Sequence, residues 1–383
     1  MPGLDRSVTR VVIGLHMNVL VLKEMADGEN RVAAVPATVE KMVAAGMEVF
    51  VQAGAGLASG LLDADYRAAG AQVQPGPSGG DVLLKVQPPS AQEAAQMPEG
   101  AALVAYSLQR DSGLMEALAH RKLSVFFLDL LPRIARAQSM DVLSSMANIA
   151  GYKSVLLAAN ALGKYFPMLM TAAGTVLPAK VFVLGAGVAG LQAVATARRL
   201  GALVSAFDIR PAVKEQVESL GARFVAVGLD LHAEDAKGYA KEVSAEAERR
   251  EREVLLEELK STDACITTAL VPGKRAPVLV TAEMVKAMKT GSVIVDLAAE
   301  QGGNCELTEP GKTIVLHGVT ILGPVNLPSA MAWQASQLYS RNVLAFLLHL
   351  YDREARKLSF DLTDEIVKGC LVAHAGEVLQ GAS

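Results

Sequence analysis

The sequence predicts an α/β protein of two Rossmann-like domains, each a parallel sheet flanked by helices, with a cleft between them. Three observations carry that prediction. At 383 residues the chain is too long for one compact α/β unit, so two domains of roughly 150 to 200 residues are expected. The 51% apolar content comes largely from Ala, Val and Leu, with only 4% aromatics, which is the profile of helix-covered parallel sheets rather than of a sandwich. Short apolar runs also alternate with helix-like stretches in two separate series.

The first series opens at Met17. "NVLVLKE" reads as a strand, and "PATVEKMVAAG" as a helix with Pro in its first turn and Gly just past its end. "EVFVQAG", "DVLLKV", "ALVAYS" and "SVFFLDL" follow as further strands. The polar stretch "PRIARAQSMDVLSS" then leads into a long amphipathic run in which Val142, Met146, Ile149, Lys153 and Leu156 keep helical spacing up to Gly163. The second series runs from "KVFVLGAGVAG" through "LVSAFD", "RFVAVG", "DACITTAL", "SVIVDLA" and "TIVLHGVTILG". A charged insertion, "HAEDAKGYAKEVSAEAERREREVLLEELK", interrupts it and reads as a solvated helix headed by a loop. After about Leu327 the pattern is helical again and returns to the first domain. The expected domains are 17–141 with 333–383, and 142–332; residues 1–16 read as an extension.

Charge and cysteine usage narrow the function. Thirty-six basic and 40 acidic side chains leave a net charge of −4, so nothing global attracts nucleic acid or anionic lipid. Cys265, Cys305 and Cys370 are spaced for neither a disulfide framework nor a zinc site, and a reducing cytoplasmic setting is expected. "NVLAFLLHLY" is too short to span a bilayer, the first sixteen residues lack a signal-peptide pattern, and no transmembrane helix is expected.

"GAGVAG" supplies Gly185, Gly187 and Gly190 between the strand "KVFVL" and the helix "VAGLQAVATARRLG". The first glycine permits the tight turn, the second lets the backbone approach a pyrophosphate, and the third lets helix and strand pack closely. The next strand, "LVSAF", ends in Asp208, where an acid accepts hydrogen bonds from the adenosine ribose. A carboxylate there faces a 2′-phosphate unfavourably, so NAD(H) is favoured over NADP(H). Arg210 could neutralise that phosphate, but the carboxylate takes precedence because it would still have to be desolvated.

A nicotinamide enzyme acting on an alcohol or amine needs a base, usually His or Lys. The six histidines are poorly placed: His16 lies in the extension, His120 and His349 in polar helical settings, His232 in the charged insertion, His317 at a strand end and His374 in the tail.

Several stretches resemble a known family. "ENRVAAVPATVEKMVAAGMEVFVQAGAG", "PRIARAQSMDVLSSMANIAGYKSV", "FPMLMTAAGTV", "GAGVAGLQAVATARRLGA", "DIRPAVKEQVESLGARF", "ITTALVPGKRAPVLVTAEMV" and "GSVIVDLAAEQGGN" are similar to the NAD(H)-binding component of proton-translocating NAD(P) transhydrogenase. In split-subunit forms this is the soluble portion of the α subunit, and alanine dehydrogenases share the architecture. "RAQSMDVLSS" is the specific segment of the resemblance.

The resemblance implies that Arg133, Gln138 and Asp141, with Ser144 following, hold the nicotinamide ring, its carboxamide and the nearby ribose, with Ser139 and Met140 also at the cofactor. It places Val188, Asp208, Ile209, Arg210, Gly238 and Leu270 against NAD(H), and Tyr239 on a loop that closes over the nucleotide. A position in the insertion that is commonly Gln is Glu251 here.

It further implies a homodimer that works only with partners: an NADP(H)-binding domain of a β subunit and membrane-spanning subunits. The chain itself would be cytoplasmic, peripheral on the inner face of the plasma membrane. The implied reaction is the Si-specific, proton-translocating kind. Direct hydride exchange between two nicotinamides needs no general base, only the two rings held roughly 3 to 3.5 Å apart with water excluded.

Alanine dehydrogenase is the competing expectation. Arg31 in "ENRVAAVP" and Lys85 in "LLKVQPP" stand where that family holds its substrate carboxylate and carbonyl. Its catalytic His would fall in "LVAYSLQ", where Ser107 and Leu108 stand instead. A non-catalytic NAD-sensing module is the third expectation, and the polar loop beside the ring argues against it.

Overall fold

The computed structural model describes residues 17–107, 112–227, 245–271 and 274–379, the side chains of 245–248 excepted. Gly238, Tyr239, Leu108 and His232 lie outside the described residues. In chain order the strands are β1 (Asn18–Val21), β2 (Glu48–Gln52), β3 (Gln72–Gln74), β4 (Val82–Leu84), β5 (Ala102–Ala105) and β6 (Ser124–Phe127). A hairpin of β7 (Leu169–Thr171) and β8 (Gly174–Val176) comes next, then β9 (Lys180–Leu184), β10 (Leu203–Phe207), β11 (Arg223–Phe224), β12 (Ala264–Thr267), β13 (Val293–Asp296), β14 (Thr313–Leu316) and β15 (Val319–Leu322). The chain finishes with β16 (Tyr351–Asp352), β17 (Lys357–Leu358), β18 (Leu371–His374) and β19 (Glu377–Val378).

Two compact units result. One takes the chain up to Met146 and again from Ser329, and the other is Ala147–Pro328. The divisions fall inside the helix Val142–Ala161 and just ahead of the helix Ala332–Leu350, where the sequence reading puts the joins at 141/142 and 332/333. The first turn of the former helix belongs with the first unit because the Met146 thioether receives the Arg31 guanidinium at 3.2 Å.

In the first unit the sheet order is β19-β18-β6-β5-β4-β1-β2-β3. It is parallel from β3 through β6, and β18 then closes one side antiparallel to β6. The sequence reading takes the tail after Leu327 as helical throughout and so misses β16 to β19. These strands are two to four residues long, too short to show an alternating pattern.

The second unit has the order β11-β10-β9-β12-β13-β15-β14, parallel except for the β14–β15 hairpin. Strict alternation explains why its strands read as unbroken apolar runs. Val181, Val183, Ala264, Ile266, Val293 and Val295 enter one core, while Phe182, Leu184, Cys265 and Ile294 enter the other on the opposite face. Each fully buried side chain of this size contributes about 1.5–3 kcal/mol. Val142–Ala161 is long and apolar enough to span a bilayer by length and composition alone. Here Val155 and Ala158 sit in the first of those cores, so it serves as a core helix.

The order reverses direction between β9 and β12, both of which neighbour the first strand of this series. In such open sheets a ligand crevice forms at the carboxyl ends of the strands where the order switches.

Candidate functional site

At the carboxyl end of β9 the three glycines do three different things. Gly185 has φ 93°, and a Cβ there would lie 2.6 Å from Thr268 Oγ1 and 3.2 Å from the Ala269 nitrogen, so the turn is both left-handed and tightly enclosed. Gly187 is the N-cap of the helix Val188–Arg199, with extended backbone and no side-chain cap, which leaves the first helical amides to a ligand. The nearest atom to a Cβ on Gly187 is Arg210 Nη2 at 4.0 Å, so an open approach is kept there. At Gly190 a Cβ would sit 1.8 Å from the Gly185 carbonyl oxygen, which shows how closely the helix lies on the turn. The helix Val142–Ala161 approaches just as tightly: a Cβ on Gly151 would meet the Ala189 oxygen at 2.1 Å.

Asp208, just past β10, ties this turn down. Its Oδ2 accepts from the Ala186 amide at 2.7 Å, and Arg210 forks onto both carboxylate oxygens at 2.9 Å while its own amide reaches Oδ1 at 2.9 Å. A carboxylate offers about four lone-pair sites, and four donors occupy them. The sequence reading sets Asp208 and Arg210 against each other; the structure pairs them. Ile209 packs on the adjoining core, and Val188 and Leu270 present exposed apolar side chains from the helix start and the loop after β12.

The site also contains residues that sequence reasoning missed. Thr268 Oγ1 donates to the carbonyls of Leu184 and Gly185 at 3.2 and 3.0 Å, linking the ends of β9 and β12. Its position at the carboxyl end of a central strand was the available signal. Asn304, wholly buried, is bonded to the backbone of the loop that follows β12.

In the first unit the loop after β6 is a short 3₁₀ segment, Ala135–Met140. Ala137 and Met140, three apart, fall on one face of the turn and are buried, which turns Gln138 and Ser139 outward. Asp141 then caps the long helix: Oδ1 accepts the Ser144 amide at 2.9 Å and Oδ2 the Ser144 hydroxyl at 2.5 Å. The loop is pinned from behind. Asn342 Nδ2 donates to the Ser139 carbonyl at 2.8 Å, and Arg136 reaches Asp364 at 3.2 Å. Burial would raise Asp364, but the Ile366 amide, His349 and Arg136 hold its carboxyl below the usual range. Arg133 and Gln138 are exposed.

Arg31 and Lys85, the two cations singled out in the sequence, are both buried and both paired within the chain. Arg31 forks onto Glu29 at 2.7 and 2.5 Å, and Lys85 meets Glu93 at 2.7 Å and Glu24 at 3.6 Å. Three carboxylates thus face two cations in a dry site. Burial pushes the Glu24 carboxyl up to about 7, against the opposing pull of Lys85 and the Val86 amide. Burial acts on Glu29 in the same sense, but the Arg31 fork overrides it and brings the carboxyl down to about 2. The signs are opposite. Ionised Glu29 stabilises the fold above the ordinary carboxyl range, and that contribution is lost as pH falls towards 2. Ionising Glu24 costs stability, increasingly as pH rises through 7. Glu24→Gln is therefore expected to gain on the parent by about 2 kcal/mol between pH 5 and pH 8 in urea unfolding.

A surface hollow of about 530 Å³ beside Asn30, Ser59 and Trp333 carries no ionisable side chain in its lining and offers no acid–base chemistry. The three cysteines are buried, and burial raises all three thiols, Cys305 to about 11.

Comparison with known proteins places these features. Residues 20–150 match the family model "Alanine dehydrogenase/PNT, N-terminal domain" and residues 154–381 its C-terminal counterpart. In Rhodospirillum rubrum, the first of the chains that make up NAD(P) transhydrogenase subunit alpha is 48% identical over 96% of this chain and 98% of its own length. The alanine dehydrogenase of Halomonas elongata is 31% identical over 94% of each chain. Among solved structures, a transhydrogenase from Sinorhizobium meliloti superposes with a TM-score of 0.87 at 45% identity, covering 94% of this chain and all of that one. An L-alanine dehydrogenase superposes with a TM-score of 0.79 at 31% identity, over 96% of this chain and 98% of that one. The chain belongs to the alanine dehydrogenase/PNT family, and along its length it is more similar to these transhydrogenases than to these alanine dehydrogenases.

Proposed function

We propose that this chain is the NAD(H)-binding component of a proton-translocating transhydrogenase, exchanging hydride with NADP(H) held by a partner subunit. The observation that carries the proposal is the loop after β6. Its exposed Arg133 and Gln138 stand on a turn pinned by buried Ala137 and Met140, and Asp141 follows at the helix cap. No histidine stands after β5 to serve as a base: Tyr106 and Ser107 follow Ala105, and the Ser107 amide is spent on Asp129 at 3.0 Å. Groups of this kind position a ring; they do not take a proton from a substrate.

The glycine turn fits a dinucleotide, since the room beside Gly187 and the uncapped helical amides form an anion cradle. Bound NADH would supply the hydride. In this reading the Gly187 and Val188 backbone holds the pyrophosphate, Asp208 orients the adenosine ribose, and Val188, Ile209 and Leu270 flank the nucleotide. Arg133, Gln138 and Asp141, with Ser139, Met140 and Ser144 around them, orient the nicotinamide and its ribose. Gly238 and Tyr239 would close over the nucleotide from the insertion. The chain works as a homodimer with the NADP(H)-binding domain of a β subunit and membrane-spanning subunits, at the cytoplasmic face of the membrane.

The Asp208–Arg210 fork supports a preference for NAD(H). To meet a 2′-phosphate, Arg210 would have to leave Asp208, and that carboxylate, 7% exposed, would lose its counter-charge. Purified protein is expected to bind NADH, seen as a change in nicotinamide fluorescence, at least about ten times more tightly than NADPH. Tighter binding of NADPH would overturn this assignment.

The alternative, alanine dehydrogenase, draws on Arg31 and Lys85. Both already carry internal carboxylate partners, so an incoming substrate carboxylate would have to compete with Glu29 and Glu93.

A further inference from the structure

Between β12 and the helix Ala282–Ala287 the chain makes a loop whose two ends are fastened by a single side chain. Asn304 accepts the Ala269 amide through Oδ1 at 2.9 Å and donates through Nδ2 to the Ala269 carbonyl at 2.8 Å, pairing with that residue as a neighbouring strand would. The second Nδ2 hydrogen goes to the Pro277 carbonyl at 2.8 Å. The main-chain carbonyl of Asn304 accepts the amides of Leu279 and Val280 at 2.8 and 2.9 Å. One wholly buried residue therefore holds the loop at its start and at its finish.

Asn304 is itself held rigidly. Asp296, also wholly buried at the end of β13, accepts from Thr267 Oγ1 and the Ala298 amide on one oxygen. Its other oxygen accepts from the Cys305 amide and Thr308 Oγ1. At the near end of the loop, the Ala269 nitrogen lies only 3.2 Å from where a Cβ on Gly185 would be, so the fastened backbone runs directly against the glycine turn. The next side chain, Leu270, is 41% exposed and apolar.

We infer that Asn304 is a positioning residue for dinucleotide binding: by bracketing Ala269 and Pro277 it fixes Leu270 beside the Gly185 turn, and it acts on affinity through Leu270. The inference rests on the NAD(H) reading of that turn. Its chemical sense is specific. An amide is the side chain that can both accept the Ala269 N–H and donate to two carbonyls, whereas a carboxylate of the same shape would face both carbonyls without a hydrogen.

A double-mutant cycle tests it. NADH affinity is measured by fluorescence for the parent, Asn304→Asp, Leu270→Ala and the double variant, with Asn304→Ser as the uncharged alternative where Asn304→Asp folds poorly. Each single change is expected to raise Kd by about tenfold. The double variant should be no weaker than the weaker single, because the contact that Asn304 serves is already gone. With the partner NADP(H)-binding component, KM for NADH should rise while kcat at saturation is kept. Fully multiplicative effects on Kd, or a fall in kcat with KM unchanged, would overturn the inference. If the Asn304 variants bind NADH as the parent does, the inference alone falls; if the parent shows no NADH binding, the dinucleotide reading falls with it.

Discussion

Gly190→Ala is expected to abolish measurable NADH binding and to weaken the fold, whereas Gly187→Ala, three residues away, should spare the fold and damage binding alone. At Gly190 the added methyl would lie 1.8 Å from the Gly185 carbonyl oxygen and 2.8 Å from its carbon, and both are backbone atoms that no rotamer change can clear. The helix Val188–Arg199 must lift off the turn. Overpacking of this sort costs about 1–3 kcal/mol or more, and the lift also breaks the alignment of helical amides with a pyrophosphate. At Gly187 the backbone has φ −74°, which any residue adopts, and the nearest atom to a new methyl is 4.0 Å away. The methyl would fill only the space a ligand would use, so urea unfolding should stay within about 0.5 kcal/mol of the parent while NADH affinity falls by roughly a hundredfold. Fluorescence titration and urea unfolding on the same preparations check both. Normal NADH affinity in Gly187→Ala would mean that the space beside it is not the phosphate cradle.

The second large effect concerns the loop after β6. Gln138→Asn and Asp141→Asn are each expected to lower the rate of transhydrogenation with a partner component by roughly ten- to a hundredfold, with NADH affinity changed less than about threefold. Gln138 is exposed on the outward face of its turn, so shortening it by one carbon disturbs no packing. Asn at position 141 remains a good helix cap and can still accept the Ser144 amide, so the helix keeps its start while the negative charge is lost. A stability effect is thus largely removed from the comparison. Full rates in both variants would show that the loop does not position the ring.

How far the sequence carried this account varies with the range of the interaction. The second sheet was legible because both of its faces are buried, and runs such as "KVFVL" and "SVIVD" stay apolar at nearly every position while alternating between two cores. The glycine turn was legible because each glycine answers a local steric demand. Pairings made by side-chain geometry were not. "DIR" shows an acid and a base two residues apart, but whether Arg210 folds back onto Asp208 or reaches outward is a choice of rotamer that spacing does not encode. Asn304 and Ala269 are brought together by the order of the strands, as are Asn342 and Ser139, and no local pattern marks either pair. The same holds for β18, which becomes a strand only because β6 offers it an edge. Buried charge was half legible: Arg31 and Lys85 stood out as cations in apolar surroundings, but the opposite shifts of Glu24 and Glu29 follow from which carboxylate each cation faces.

The central claim is that this chain positions a nicotinamide for exchange with a second nicotinamide rather than oxidising a small substrate. It is tested most directly by mixing the purified chain with the NADP(H)-binding component of a bacterial transhydrogenase and following hydride exchange between NADH and an NADP analogue with a distinct reduced spectrum. The account predicts exchange that requires both components, and no reduction of NAD by the chain alone with L-alanine. L-alanine-dependent NAD reduction by the chain alone, or no exchange in a mixture where NADH is bound, would contradict it.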